Sequence, residues 1–288
     1  MPEESLRKAV LVDAEELRAL LVEDKRLVLL DVRWSLADPD GHRAYSLGHL
    51  PGAMFVDLDH DLSSPPSTEG GRHPLPDIEE LQAAARRWGI DDGDPVVVYD
   101  DSGGTSAARA WWLLRWGGLA DVRILDGGLQ AWIGNGGLLE DGAVQVAPGT
   151  VELTPGHMPV AEADDVAGLP GRGVLIDARA GERYTGEVEP MDSRAGHVPG
   201  AVSLPNADIL HEDQTFKTDE ELAQEFSAVG VQQQTEVAVY CGSGVTATHE
   251  IAALEAIGVH AALYPGSWSQ WSADTARPVA TGIERPEA

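Results

Sequence analysis

The chain repeats itself. LGHLPGA at 47–53 returns as AGHVPGA at 195–201, an offset of 148, and LVLLDVR at 27–33 returns as GVLIDAR at 173–179, an offset of 146. VVVYDDSGG at 96–104 aligns with VAVYCGSGV at 237–245 at an offset of 141, and RILDGGLQAW at 123–132 aligns with ALYPGSWSQW at 262–271 at 139. The order never changes and the offset drifts one way, so the 288 residues read as two copies of one module. A proline-rich stretch, SSPPSTEGGRHPLP at 63–76, belongs to the first copy only and explains most of the drift. The reading is an N-terminal domain at 1–143, a linker at 144–158 and a C-terminal domain at 159–288. The linker is expected to hold an extended piece lying on a neighbouring domain.

Within each copy, short apolar runs alternate with helix signals. Leu27–Leu30, Val96–Tyr99, Val122–Leu125 and Val237–Tyr240 have the length and composition of buried strands. Asp13 with Glu16, Asp77 with Glu80 and Thr218 with Glu221 have the spacing of a capping box. After Asp100 and after Cys241 the chain turns alanine-rich and helical. Strand, loop, helix and strand in succession predict two α/β domains, each a mostly parallel central sheet with helices on both faces.

Composition narrows the function classes. The chain has 48 Asp+Glu against 20 Lys+Arg, a formal charge of −28, so neither a nucleic acid nor an anionic membrane is an expected partner. The N-terminus, MPEESLRKAVLVDAEELRALL, lacks the basic start and long apolar stretch of a secretory signal, and no run approaches the roughly 18 apolar residues of a membrane span. A cytoplasmic protein is expected. One cysteine in the whole chain excludes an intrachain disulfide, a CxxC pair and a multi-cysteine metal site. The nine histidines show no metal-ligand spacing, and no cofactor is required.

That cysteine stands in an informative place. Cys241 follows the strand Val237–Tyr240, and GSGVT leads into a helix expected near Ala247. The sulfur therefore belongs at the carboxyl end of a parallel strand, where open α/β sheets bind ligands. Amides of the Gly-rich loop and first helical turn would favour a thiolate and an anion beside it, and Gly242 and Gly244 let the backbone curl close. Lone cysteines are often inert core residues. Here, however, the first copy carries Asp100 at the matching position, which a core thiol would not predict. One active and one lapsed copy is the simpler account. A Cys-x5-Arg phosphatase loop is excluded because position 247 is Ala.

The GH-[LV]-PGA motif, the D-[AV]-R strand end, the CGSGVTA loop and the closing Gly and Trp residues together resemble the rhodanese family, over about 10–280. More narrowly, they resemble its tandem sulfurtransferases, in which only the C-terminal domain is catalytic. A neutral CGSGVTA loop is similar to that of 3-mercaptopyruvate-using members, whereas thiosulfate-using members usually carry Cys-Arg-Lys-Gly. The resemblance implies transfer of a sulfane sulfur through a Cys241 persulfide to a thiol, a thioredoxin-like protein or cyanide. Two alternatives stay open: thiosulfate as donor, and a non-turnover persulfide carrier for a protein partner.

The resemblance also assigns site residues. It implies loop contacts to the donor from Gly242, Gly244, Val245 and Thr246, and an anion-binding role for Arg183 in GERYTGE. A second Arg often follows a Glu-Pro pair in mercaptopyruvate-using members. This chain has Glu189-Pro190-Met191, and Arg194 is the candidate substitute. A Ser–His–Asp relay maps onto Ser243, His73 and Asp59, with His73 in the stretch special to the first copy. His49 and His197, like the pairs Asp31–Arg33 and Asp177–Arg179, occur in both copies and are read as structural.

Overall fold

The computed structural model describes residues 3–23, 26–35 and 40–283. It divides into two compact units. Unit 1 comprises Met1–Ser64, Pro76–Met158 and His211–Phe216, and unit 2 comprises Pro65–Leu75, Pro159–Leu210 and Lys217–Ala288. The units follow the two copies apart from two short segments. Most of the first copy's special stretch clusters with unit 2, and a loop of the second copy clusters with unit 1.

Unit 1 holds β1 (Leu11–Val12), β2 (Val28–Asp31), β3 (Met54–Phe55), β4 (Val96–Tyr99) and β5 (Val122–Leu125). All pair in parallel, in the order β1-β5-β4-β2-β3. The central β4 is Val-Val-Val-Tyr with every side chain buried, as a strand covered on both faces requires. Helices flank the sheet. Asp13 caps Ala14–Val22 by accepting from Glu16 N (2.8 Å), the expected box position. Asp77 caps Ile78–Arg87 one residue earlier than the spacing predicts, through Glu79 N (2.8 Å). The segment read as a linker lies along unit 1. Gly149 N donates to Arg86 O (2.8 Å), Val151 N to Ile90 O (3.1 Å) and Thr154 N to Gly117 O (2.9 Å), and Val151 is buried.

Unit 2 holds β6 (Val174–Asp177), β7 (Val202–Ser203), β8 (Val237–Tyr240) and β9 (Ala261–Leu263), all parallel, in the order β7-β6-β8-β9. The counterpart of β1 has shrunk to a single parallel bridge, Val160 to Leu263. The helix Thr246–Ala256 leaves the cysteine loop and is buried nearly all round. Its polar residues Thr248, His249 and Glu250 are buried with its alanines. Thr218 and Glu221 form a full capping box at the head of Asp219–Ala228. Trp268 and Trp271 are core residues here, as Trp111 and Trp112 are in unit 1. No described helix is long and apolar enough to cross a membrane.

The repeated motifs build the same device in both units. Arg33 grips Asp31 with two N–H groups (3.1 and 2.9 Å) and donates to Gly48 O (2.5 Å). Arg179 grips Asp177 likewise (2.9 and 2.5 Å) and donates to Gly196 O (2.7 Å). His49 stacks on Tyr45 (ring centroids 4.0 Å) and His197 on Tyr184 (3.7 Å). Each histidine's Nδ1 meets the carbonyl of its stacking partner. Each tyrosine hydroxyl donates to the closing Ala of PGA, Ala53 or Ala201 (2.7 Å each). These groups are buried ties between a strand end and a turn.

Candidate active site

Cys241 directly follows β8 and is 2% exposed. Three ties fix its backbone and that of Gly242. Cys241 N donates to Ser267 Oγ (3.2 Å), Trp268 N donates to Cys241 O (3.0 Å) and Ser269 N to Gly242 O (2.9 Å). Ser267 has φ 53, a left-handed conformation rare for a residue with a side chain. That conformation lets its hydroxyl accept from Cys241 while donating to Tyr264 O (2.9 Å). Gly128 occupies the matching place in unit 1 with φ 55. The sequence marks Ser267 only through this alignment, and no local motif shows its part in holding the cysteine.

The loop curls over the sulfur. Gly244, with φ 79, points its N–H at Cys241 Sγ (3.2 Å), and a Cβ there would lie 2.5 Å from Pro265 O. The position therefore admits only glycine. Val245 and Thr246 carry the chain into the helix, which starts at Thr246, one residue before the sequence estimate. Thr248 N turns back to Val245 O (3.1 Å).

Unit 1 shows what such a loop binds. Asp100 is fully buried, and its carboxylate accepts from Ser102 N (2.9 Å) and Gly104 N (2.8 Å) on one oxygen. The other oxygen accepts from Ser106 N (2.9 Å) and Ala107 N (3.0 Å). Burial is the strongest influence on Asp100 and raises its pKa, while these amides pull the other way. Four main-chain donors converging on two oxygens form an anion nest. In unit 1 the protein fills it with its own side chain.

Polar groups of unit 2 surround the sulfur loop. His73 Nδ1 lies 2.7 Å from Ser243 Oγ, and both residues are almost wholly buried. The first-copy stretch thus brings its histidine to the serine named by the sequence. Asp59 belongs to unit 1, in the short helix Leu58–Asp61, where it accepts from Trp34 Nε1 (3.2 Å). Arg183 lies beside Gly242: a Cβ there would be 3.4 Å from its Nη1. Its Nη2 holds Glu189 (2.8 Å) and Asp192 (3.2 Å), and its Nε is buried with no hydrogen-bond partner. Burial raises Asp192 above the usual carboxylate range despite Arg72 and Arg183. Burial also pushes Glu189 up, but hydrogen bonds from Met191 N, Arg183 and Asp192 N outweigh it and leave Glu189 low.

Arg194 stands apart from this cluster. Its Nε goes to Ser272 O (2.8 Å), Nη1 to Arg277 O (2.8 Å), and Nη2 to Trp271 O (2.8 Å) and Asp274 O (2.6 Å). Four of its five N–H groups serve main-chain carbonyls, so it works as a strut. Met191 is half-exposed. Sequence reasoning also passed over Arg72, whose Nη1 pairs with Asp192. A third omission is the pair His249 and Glu250 on the helix behind the loop. Both are fully buried, His249 with Nδ1 at 2.9 Å from Asn206 Oδ1 and Glu250 with neither carboxyl oxygen hydrogen-bonded.

Two homologous parallel α/β units, only one of which has a cysteine in its strand-end loop, define a tandem protein with a single cysteine centre. A family model, the rhodanese-like domain, matches residues 13–135 and 162–274. The chain belongs to the rhodanese family. It is 47% identical over 281 residues to the Mycobacterium tuberculosis protein named "Putative thiosulfate sulfurtransferase SseB", covering 96% of this chain and 98% of that one. It is 46% identical over 286 residues to the Pseudomonas aeruginosa "Probable 3-mercaptopyruvate sulfurtransferase", covering 96% and 100%. The crystal structure of SseA from Escherichia coli, titled as a 3-mercaptopyruvate sulfotransferase with the rhodanese fold, superposes with a TM-score of 0.78. It is 35% identical and covers 90% of this chain and 98% of that one.

Proposed function

We propose that this rhodanese-family sulfurtransferase takes sulfur from 3-mercaptopyruvate and carries it as a Cys241 persulfide to a thiol acceptor. The observation that carries the reading is the neutral loop around Cys241. Gly244 N–H points at the sulfur, and the Ser243–His73 pair supplies a proton path without a cation in the loop. Thiosulfate is a compact dianion that favours cationic loop side chains. Mercaptopyruvate presents one carboxylate and a ketone, which suit neutral donors and a guanidinium such as Arg183.

The chemistry runs in two steps. The Cys241 thiolate attacks the donor sulfur. An S–S bond forms, the donor's C–S bond breaks, and the electron pair leaves on carbon as the pyruvate enolate. His73, through Ser243, delivers the proton that turns the enolate into pyruvate. An acceptor thiolate then attacks the outer sulfur and frees Cys241. A small thiol, a thioredoxin-like protein or cyanide fits this second step. Asp59 remains the third member of the relay as an expectation of the resemblance. The nest around Asp100 supports the anionic persulfide, because the homologous amides in unit 2 are those of Ser243, Val245, Ala247 and Thr248.

The test is intact-mass spectrometry after one equivalent of donor, with steady-state kinetics for both donors. Cys241 should gain one sulfur and release pyruvate, and Cys241→Ser should do neither. A specificity constant higher for thiosulfate would favour the activity in the M. tuberculosis relative's name. Loading without turnover to small thiols would favour a carrier.

A further inference from the structure

Arg72 stands in GGRHPLP, the stretch special to the first copy, and it belongs to unit 2. Its main-chain N–H donates to Ser269 Oγ (3.0 Å), and Ser269 in turn anchors Gly242 O. Its Nη1 pairs with Asp192 Oδ1, while Arg183 Nη2 takes Asp192 Oδ2 (3.2 Å). One carboxylate therefore backs two guanidinium groups, with one oxygen for each.

The other edges of both groups face the cysteine loop. A Cβ on Gly242 would lie 2.9 Å from Arg72 Nη2 and 3.4 Å from Arg183 Nη1. Gly242 has no Cβ, so both N–H-bearing edges approach the residue that follows Cys241. The buried, unpartnered Nε of Arg183 adds an unused donor. Met191 occupies the place where the resemblance implies a second arginine, and the guanidinium of Arg194 is committed to carbonyls.

We propose that Arg72 is the second anion-binding arginine of this site, and that Arg72 and Arg183 together clamp the carboxylate of an α-keto acid sulfur donor. The assignment deepens the donor reading above and rests on it. Charge balance favours a singly charged group. Asp192 and Glu189 offset much of the positive charge of the two arginines, which matches one carboxylate better than a compact dianion. Planar two-oxygen anions also fit guanidinium edges in a way that a lysine would not reproduce.

The experiment pairs two donors and one product. The donors are 3-mercaptopyruvate and 1-mercapto-2-propanone, which keeps the ketone and thiol but lacks the carboxylate. The product is pyruvate, whose binding is measured by calorimetry without turnover. Arg72→Gln should raise KM for mercaptopyruvate and Kd for pyruvate together by about 10- to 100-fold, the range for a hydrogen bond to a charged group. Its kcat and its activity on 1-mercapto-2-propanone should stay within about 3-fold of wild type. Arg72→Lys, which keeps the Asp192 ion pair, should lie between the two. Unchanged KM and Kd would overturn the proposal, as would an equal loss on both donors. If wild type releases no pyruvate from mercaptopyruvate, the donor reading fails by itself, and pyruvate Kd still decides the clamp.

Discussion

Glu250 is costly to bury, and its cost depends on pH. It is fully buried on Thr246–Ala256, neither oxygen finds a hydrogen bond, and burial holds its carboxyl well above the usual range, with Asp177, Cys241 and Asp208 adding to the effect. The folded chain therefore keeps the proton after the unfolded chain has released it. Below the unfolded pKa both states are protonated and nothing is lost. As pH rises above it, stability falls by about 1.4 kcal/mol per pH unit until the folded group ionises. Glu250→Gln removes this slope. Glu250→Leu also removes two buried unsatisfied oxygens, which adds about 1–3 kcal/mol of stability at every pH. Urea unfolding followed by circular dichroism at pH 5, 6, 7 and 8 measures both effects. The advantage of Glu250→Gln over wild type should grow with pH, and that of Glu250→Leu should be larger and grow in parallel. A difference that stays constant across this range would show that Glu250 ionises normally in the folded protein and would refute the reasoning.

His249, next to it, acts on the acid side. Burial lowers its pKa to about 3, so as pH falls below the unfolded value of 6.5 only the unfolded chain binds the proton. Wild type should lose about 1.4 kcal/mol per pH unit there, and His249→Gln should flatten that limb of the stability profile in the same urea measurements. Asp100→Ala leaves four main-chain donors of unit 1 without their acceptor. It should cost about 3 kcal/mol or more and lower the thermal midpoint, whereas Asp100→Asn, which keeps one acceptor oxygen, should cost less.

Much of the fold was legible because it is local. β4, β5 and β8 begin and end where the apolar runs do, and the repeat made each motif in one copy a check on the other. His49 and His197 were readable as structural for that reason. Asp77 departs by one position, because an aspartate can reach N2 as readily as N3. What stayed hidden depends on long-range contact. Ser267 is recognisable only when its backbone turns left-handed beneath Cys241, 26 residues away in sequence. Arg72 and Asp192 are 120 residues apart, and nothing near either one announces the other. Arg194 matched by proximity in sequence, yet its guanidinium lies among carbonyls, which no motif encodes. Nothing in the sequence marks Glu250 as buried, because its burial comes from tertiary packing around the helix.

The buried carboxylate of Asp100 also fixes a stoichiometry. A chain with two homologous loops would ordinarily be expected to bind, alkylate or load at two places. In unit 1 the nest is already saturated by a group that is covalently tethered and cannot be washed out. A thiol reagent meets one cysteine in these two loops, so labelling there is expected to stop at one equivalent per chain, with unit 1 as a matched blank within the same molecule.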